Sequence, residues 1–169
     1  MQDNQHLDQL EQMLLTGRPV GQWTPRVQGT ANAAGIQAWV FNNGLEVIAK
    51  PPNQRFGARQ VFSERAAWLV LRTLGWADLA SPVVIRSDNR GVPWSFNLKA
   101  AHPALVEHVL IPRMPETDVY RAGMFDLLVR NRDRLVRNWQ ILNVGENPRL
   151  FLFDHGYCFG LEPDRNPGS

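Results

Sequence analysis

Residues 35–50 limit what this chain can fold into more than any other stretch. Two apolar runs, Gly35-Ile36-Gln37-Ala38-Trp39-Val40-Phe41 and Leu45-Glu46-Val47-Ile48-Ala49-Lys50, flank Asn42-Asn43-Gly44. Asn and Gly accept the positive φ that a tight turn demands, so the spacing predicts an antiparallel hairpin. Pro51-Pro52 closes the second strand, because proline has no N–H for a ladder. Lys50 is thereby fixed at the end of a strand.

Other elements follow from periodicity and punctuation. Leu7, Leu10, Met13 and Leu14 recur at helical spacing over 4–16, with Asp3 or Asn4 as cap and Gly17 as stop. Residues 17–25 read as a connector. A second helix is expected over 63–74, capped by Ser63, with Ala66, Leu69, Val70 and Leu74 on one face and Gly75 at its end. Short strands are expected at 82–85 and 92–96, around Asp88-Asn89-Arg90-Gly91, and at 105–111, ending at Pro112. A third helix over 117–130 takes Thr117 as cap and Tyr120, Phe125, Leu127 and Leu128 as apolar anchors. Residues 138–142 and 149–153 read as strands joined by Gly145-Glu146-Asn147-Pro148, and the polar tail over 162–169 as frayed.

Composition sets the class. A chain of 169 residues with 44% hydrophobic and 20% charged residues suits a soluble globular protein with a sizeable core. No run approaches the ~20 apolar residues of a membrane span, and the N-terminus lacks the pattern of a secretory leader. The single cysteine, Cys158, allows no internal disulfide and fits a reducing cytoplasm. A net charge of +2 calls for no nucleic-acid partner. His6, His102, His108, His155 and Cys158 lack metal-ligand spacing, so no zinc site is expected. Oligomeric state is not legible.

The chemistry-bearing residues come late. In Asn131-Arg132-Asp133-Arg134-Leu135-Val136-Arg137-Asn138 an Asp precedes an Asn by five residues, and Phe153-Asp154-His155-Gly156 follows an apolar run. One carboxylate to orient a nucleophile, with an amide and a second carboxylate to hold Mg²⁺ on phosphates, is the set that phosphoryl transfer from ATP requires. Only two of the 18 basic residues are lysines, Lys50 and Lys99. A compact ammonium does what a planar guanidinium cannot in a tight phosphate site.

Taken in order, Val47-Ile48-Ala49-Lys50-Pro51, Glu64 in Phe62-Ser63-Glu64-Arg65-Ala66-Ala67, residues 131–138, and Phe153-Asp154-His155-Gly156 resemble the phosphatidylinositol 3-/4-kinase and HipA-like small kinases. The resemblance covers roughly residues 29–160. It implies an α+β, protein-kinase-like two-lobed fold: an antiparallel β-sheet N-lobe with one helix, plus a minimal helical C-lobe. The expected divisions are 1–22 (helix and connector), 23–113 (nucleotide-binding lobe) and 114–169 (reduced lobe).

By the same resemblance, Lys50 contacts the α- and β-phosphates and Glu64 holds it. Asp133 accepts or orients the proton of the attacking hydroxyl, and Asn138 and Asp154 are Mg²⁺ ligands. Gly29, Thr30 and Gly35 belong to a phosphate-capping loop, although 28–35 has no GxGxxG. Adenine sits at the link between lobes, around Ile111-Pro112-Arg113-Met114. Each residue also has a plainer reading: a strand-end lysine, a first-turn Glu, turn or capping residues at Asp133, Asn138 and Asp154, and a core Met114. Arg134 reads equally as a loop support, a phosphate ligand or a surface arginine.

The implied activity is ATP/Mg²⁺-dependent phosphotransfer to a protein or small-molecule hydroxyl in the cytoplasm. Two departures keep alternatives open. Leu135 stands where the family has a His, and residues 157–169 leave little room for an acceptor-binding segment. A catalytically reduced module that binds nucleotide or a protein partner, and transfer of AMP in place of phosphate, are the other expectations.

Overall fold

The computed structural model describes residues 4–22, 35–100, 104–105, 114–135, 138–142 and 147–161. Its elements run α1 (Asn4–Thr16), β1 (Pro19–Gln22), β2 (Gln37–Phe41), β3 (Glu46–Lys50), α2 (Ala58–Thr73), a 3-10 turn (Ala77–Leu79), β4 (Val83–Ser87), β5 (Pro93–Leu98), β6 (Ala104–Leu105), α3 (Glu116–Leu128), β7 (Trp139–Leu142) and β8 (Arg149–Leu152). The strands form two antiparallel sheets, one ordered β1-β2-β3-β5-β4 and one ordered β6-β7-β8.

The hairpin forms as its sequence requires. Gly44 takes φ 84° and its N–H donates to the Phe41 carbonyl at 2.9 Å, while Trp39 pairs with Val47 and Gln37 with Ala49. Alternation then turns Val47 and Ala49 fully inward and leaves Lys50 on the opposite side of the strand. The ladder partner of Lys50 is Ser95 on β5, so the lysine comes from the middle strand of the larger sheet.

Part of the expected connector is a strand. Pro19–Gln22 pairs with β2 at the sheet edge, with an irregularity between Pro19 and Gly21. Proline is tolerated there because it opens an edge strand. The loss of clean alternation across four residues is what makes this strand read as loop.

The second helix also begins earlier than expected. It starts at Ala58, not Ser63. Asn53 Oδ1 accepts from the Phe56 N–H at 2.6 Å, the Gly57 N–H donates to the Asn53 carbonyl, and Gly57 adopts φ 54°. An Asn-initiated turn delivers the chain into the helix, and Ser63 caps nothing. Buried within the helix, its hydroxyl donates to the Cys158 carbonyl at 3.1 Å.

α2 joins the two sheets. Ala67 and Leu71 pack with Leu79, Met114, Ala122, Phe125, Ile141, Leu150, Leu152 and Cys158, while Trp68 packs with Leu7, Ala77 and Val83. A third cluster, Leu14, Phe41, Val47 and Val84, seats α1 against the larger sheet. Glu11 fastens α1 to α2: it accepts from Trp68 Nε1 and Arg72 Nη1, each at 2.8 Å, and pairs with Arg65 at 2.7 Å.

α3 spans almost the expected residues but presents a different face. Phe125 is buried; Tyr120, Leu127 and Leu128, expected as anchors, are exposed. The inward positions are Asp118, Ala122 and Phe125, continued by Val129 beyond the helix. Pro115 precedes the first turn, and no side chain, Thr117 included, caps it. Of the strand expected over 105–111, only its start, in Ala104–Leu105, falls among the described residues. No helix among the described residues is long and apolar enough to cross a membrane.

Candidate active site

Three of the residues singled out in the sequence meet directly. Lys50 Nζ lies 2.5 Å from Glu64 Oε1 and 3.1 Å from Asp154 Oδ1. The three come from β3, α2 and the residue pair after β8, so the cluster closes only when both sheets are docked on α2. Glu64 is 1% exposed and its Oε2 is buried without a hydrogen-bond partner. Asp154 takes φ 61°, a left-handed conformation that few non-glycine residues adopt. Such strain persists only where surrounding contacts enforce it.

Electrostatics follow from that packing. Burial alone would push the Lys50 pKa down, but Asp154 and Glu64 outweigh it and hold the ammonium well above its ordinary range. The Lys50 charge keeps the Asp154 carboxyl below its ordinary value, against burial. Burial raises Glu64, only partly offset by Lys50 and reinforced by the negative charge of Asp154. One ammonium thus serves two carboxylates, of which Asp154 is held ionised and Glu64 is pushed toward its neutral form.

The loop carrying Asp133 is fixed mainly through its backbone. The Asp133 N–H donates to Asn131 Oδ1 at 3.0 Å, and the Asp133 carbonyl accepts from Asn138 Nδ2 at 2.7 Å. Asn138 is 2% exposed, and its carbonyl accepts from the Phe153 N–H at 3.2 Å. The loop is therefore stitched to the strand that leads into Asp154.

Arg134 was open to three readings, and the fold selects loop support. Its side chain is only 8% exposed. Nε and Nη2 donate to the Asp126 carboxylate of α3 at 2.9 Å each, Nη1 donates to the Asn138 and Phe153 carbonyls at 3.2 and 3.0 Å, and Nη2 lies 3.1 Å from His155 Nδ1. Leu135, where a His was expected by resemblance, is 43% exposed. The bracing lost at Leu135 is supplied by its neighbour. His155 is buried edge-on against Phe125. Burial, then the Arg134 charge, pushes its pKa well down, so it is neutral.

Gly156 completes the segment for a steric reason. A Cβ there would lie 2.6 Å from Gln60 Cγ, so the bare glycine lets the Gln60 side chain of α2 lie directly on the chain after Asp154.

Other expected site residues are not joined to this cluster. Gly29, Thr30 and Arg113 lie outside the described residues. Gly35 stands just before β2 at φ 89°, against Pro51. Met114 is 8% exposed and packs in the core. Lys99 forms an ion pair with Glu46. Asp126 and His155 gave no signal of a bracing role in the sequence. Asp126 lies eight residues before Arg134, and half of the arginine's partners are carbonyls, which every residue has. A cavity of about 370 Å³ bounded by Arg59, Phe62, Ala66 and Phe159 lies beside α2, and Lys50, Glu64, Asp133, Asn138 and Asp154 are not among its lining residues.

No family model matches this chain, and no curated protein matches its sequence. Among solved structures it is similar to the crystal structure of the Golgi casein kinase, with a TM-score of 0.63 at 13% identity. The match covers 94% of this chain and 58% of that one. The mixed α+β arrangement with its antiparallel sheet is thus a kinase-like fold.

Proposed function

We propose that the chain binds ATP with Mg²⁺ and is a kinase-like phosphotransferase acting on a hydroxyl of a protein or small molecule, in the manner of the phosphatidylinositol 3-/4-kinase and HipA-like small kinases. The observation that carries this reading is the Lys50–Glu64–Asp154 cluster, buried at Glu64 and open at Asp154, assembled from three distant parts of the chain. An ammonium pinned by a buried carboxylate is pre-organised for phosphate, because its geometry is set before ligand arrives.

The donor set fits Mg²⁺. Asp154 and Asn138 would offer hard oxygen ligands, and Asp154 keeps its carboxylate ionised beside Lys50. Mg²⁺ keeps waters and substrate phosphates in its shell, so two protein ligands are enough to hold it. When bound, it neutralises charge developing on the phosphates. Lys50 would then hold the phosphates, and Arg134 would keep the Asp133 loop in register with Asp154. The Asp133 carboxylate would take the proton as the acceptor oxygen bonds to the γ-phosphorus and ADP leaves.

The test is transfer from γ-labelled ATP into host lysate. Label should appear with the wild type and fall by about 10²-fold or more in Asp133→Ala, the usual scale for losing a general base. Absence of transfer, or transfer indifferent to Asp133→Ala, would refute catalysis. α-Labelled ATP run alongside detects transfer of AMP.

A second reading, a nucleotide- or partner-binding module that does not transfer phosphate, is favoured by Leu135, which stands exposed where the resembled family has a His. On that reading Asp133→Ala would leave biological activity intact.

A further inference from the structure

The cavity beside α2 has the make-up of a ligand groove. α2 places Arg59, Phe62, Ser63 and Ala66 at i, i+3, i+4 and i+7, on one stripe of the helix. The turn over 158–161 stands against that stripe, and the two bound a space of about 370 Å³. Ser63 and Cys158 are buried and close its floor, where the Ser63 hydroxyl donates to the Cys158 carbonyl. Phe62 and Phe159 are 52 and 46% exposed and form its rim.

The turn presents its phenylalanine under strain. Phe159 takes φ 59° and Gly160 φ 84°, and the Leu161 N–H donates to the Cys158 carbonyl at 3.3 Å. Left-handed backbone is unfavourable for a bulky residue, and strain of this kind gathers where a protein binds something.

Charge and backbone say what the groove takes. Arg59 is exposed, its side chain makes no hydrogen bond or ion pair with a described residue, and no acidic side chain lines the space. An apolar trough with one uncompensated guanidinium suits an apolar body bearing a single anionic head. An extended peptide would need main-chain partners. One wall is a helix, and in the other the amides of Cys158, Phe159 and Leu161 already donate to the carbonyls of His155, Val129 and Cys158. The volume lies at the small end of ligand pockets, which begin at about 300 Å³.

We propose that this groove binds a free monocarboxylate of the medium-chain fatty-acid class, its chain between Phe62 and Phe159 and its carboxylate on Arg59. The site does not depend on the nucleotide reading.

Titration calorimetry of the whole chain with octanoate, decanoate and dodecanoate, each below its micelle concentration, tests it. 1-Octanol is the neutral match to octanoate. Affinity should rise about threefold per added methylene. Octanoate should bind about fivefold more tightly than octanol, and Arg59→Gln should remove that difference. Phe159→Gly takes away one wall and should weaken decanoate roughly tenfold. Its circular dichroism melt should not fall, since glycine accepts φ 59° without strain. No binding of any of the acids would overturn the proposal, as would octanol binding as tightly as octanoate. Decanoate binding indifferent to either substitution would place the ligand elsewhere and overturn it too.

Discussion

Arg134 brings three pieces of backbone to one point. Its guanidinium reaches a carboxylate on α3, the carbonyl of Asn138 in the Asp133 loop and the carbonyl of Phe153 just before Asp154. Removing a buried guanidinium from such a network leaves the half-buried Asp126 with Asn131 as its remaining partner, so Arg134→Ala should destabilise the fold by about 2 kcal/mol. Arg134→Lys should not recover most of that loss, since an ammonium cannot span the fork. Leu135→His, by contrast, changes an exposed position and should shift stability by no more than about 0.5 kcal/mol. Chemical denaturation of the three variants checks this, and equal losses at 134 and 135 would contradict the bracing assignment. Lys50, Glu64 and Asp154 were legible in the sequence because each is the residue type its chemistry demands, in the order that chemistry demands. Arg134 was not, because its acceptors are a distant carboxylate and backbone carbonyls.

At the scale of elements, a charge cluster centred on the buried Asp118 holds α3 to the 3-10 turn and β8. Asp118 accepts from Arg149 Nε at 2.8 Å and from Arg121, and Arg121 and Arg149 also reach Asp78. Burial pushes the Asp118 carboxyl up, but hydrogen bonds from Arg149 and Arg121 outweigh it and hold its pKa below the ordinary 3.8. The unfolded chain therefore binds the proton more readily. The stabilisation is fully present above the ordinary pKa and is lost as pH falls through the lower folded value. Asp118→Asn should cost about 3 kcal/mol at pH 7, and the gap from wild type should narrow as pH drops below 3.8. Thermal melts at several pH values measure it, and a gap that stays constant would remove the ionised carboxylate from the explanation. Periodicity located α3 but set Tyr120, Leu127 and Leu128 inward with Phe125, and only Phe125 is buried. Asp118, on the inward face, decides that, and a buried Asp reads as a surface residue until its arginines are seen. The start of α2 was missed for a related reason: the turn at Asn53 and Gly57 competes with the more obvious cap, Ser63.

Across the whole molecule, α2 is the member both sheets share. Its Glu64 faces Lys50, its Ala67 and Leu71 enter the core that includes β7 and β8, and its Gln60 rests on Gly156. In Gly156→Ala the new Cβ would meet the Gln60 side chain, which can turn aside, so the substitution should cost no more than about 1 kcal/mol in chemical denaturation and leave the core intact. The hairpin, the helices and the order of the motif residues were readable because local propensity and chemistry coincide there. The docking of two sheets on one helix was not, since it depends on contacts between residues as far apart as Lys50 and Asp154. That docking makes the cluster, and the cluster carries the functional reading. Calorimetry of ATP binding, with and without Mg²⁺, on the wild type and on Lys50→Met tests it most directly. The account predicts micromolar binding that needs Mg²⁺ and is lost in Lys50→Met; no binding by the wild type, or binding indifferent to both the metal and Lys50, would contradict it.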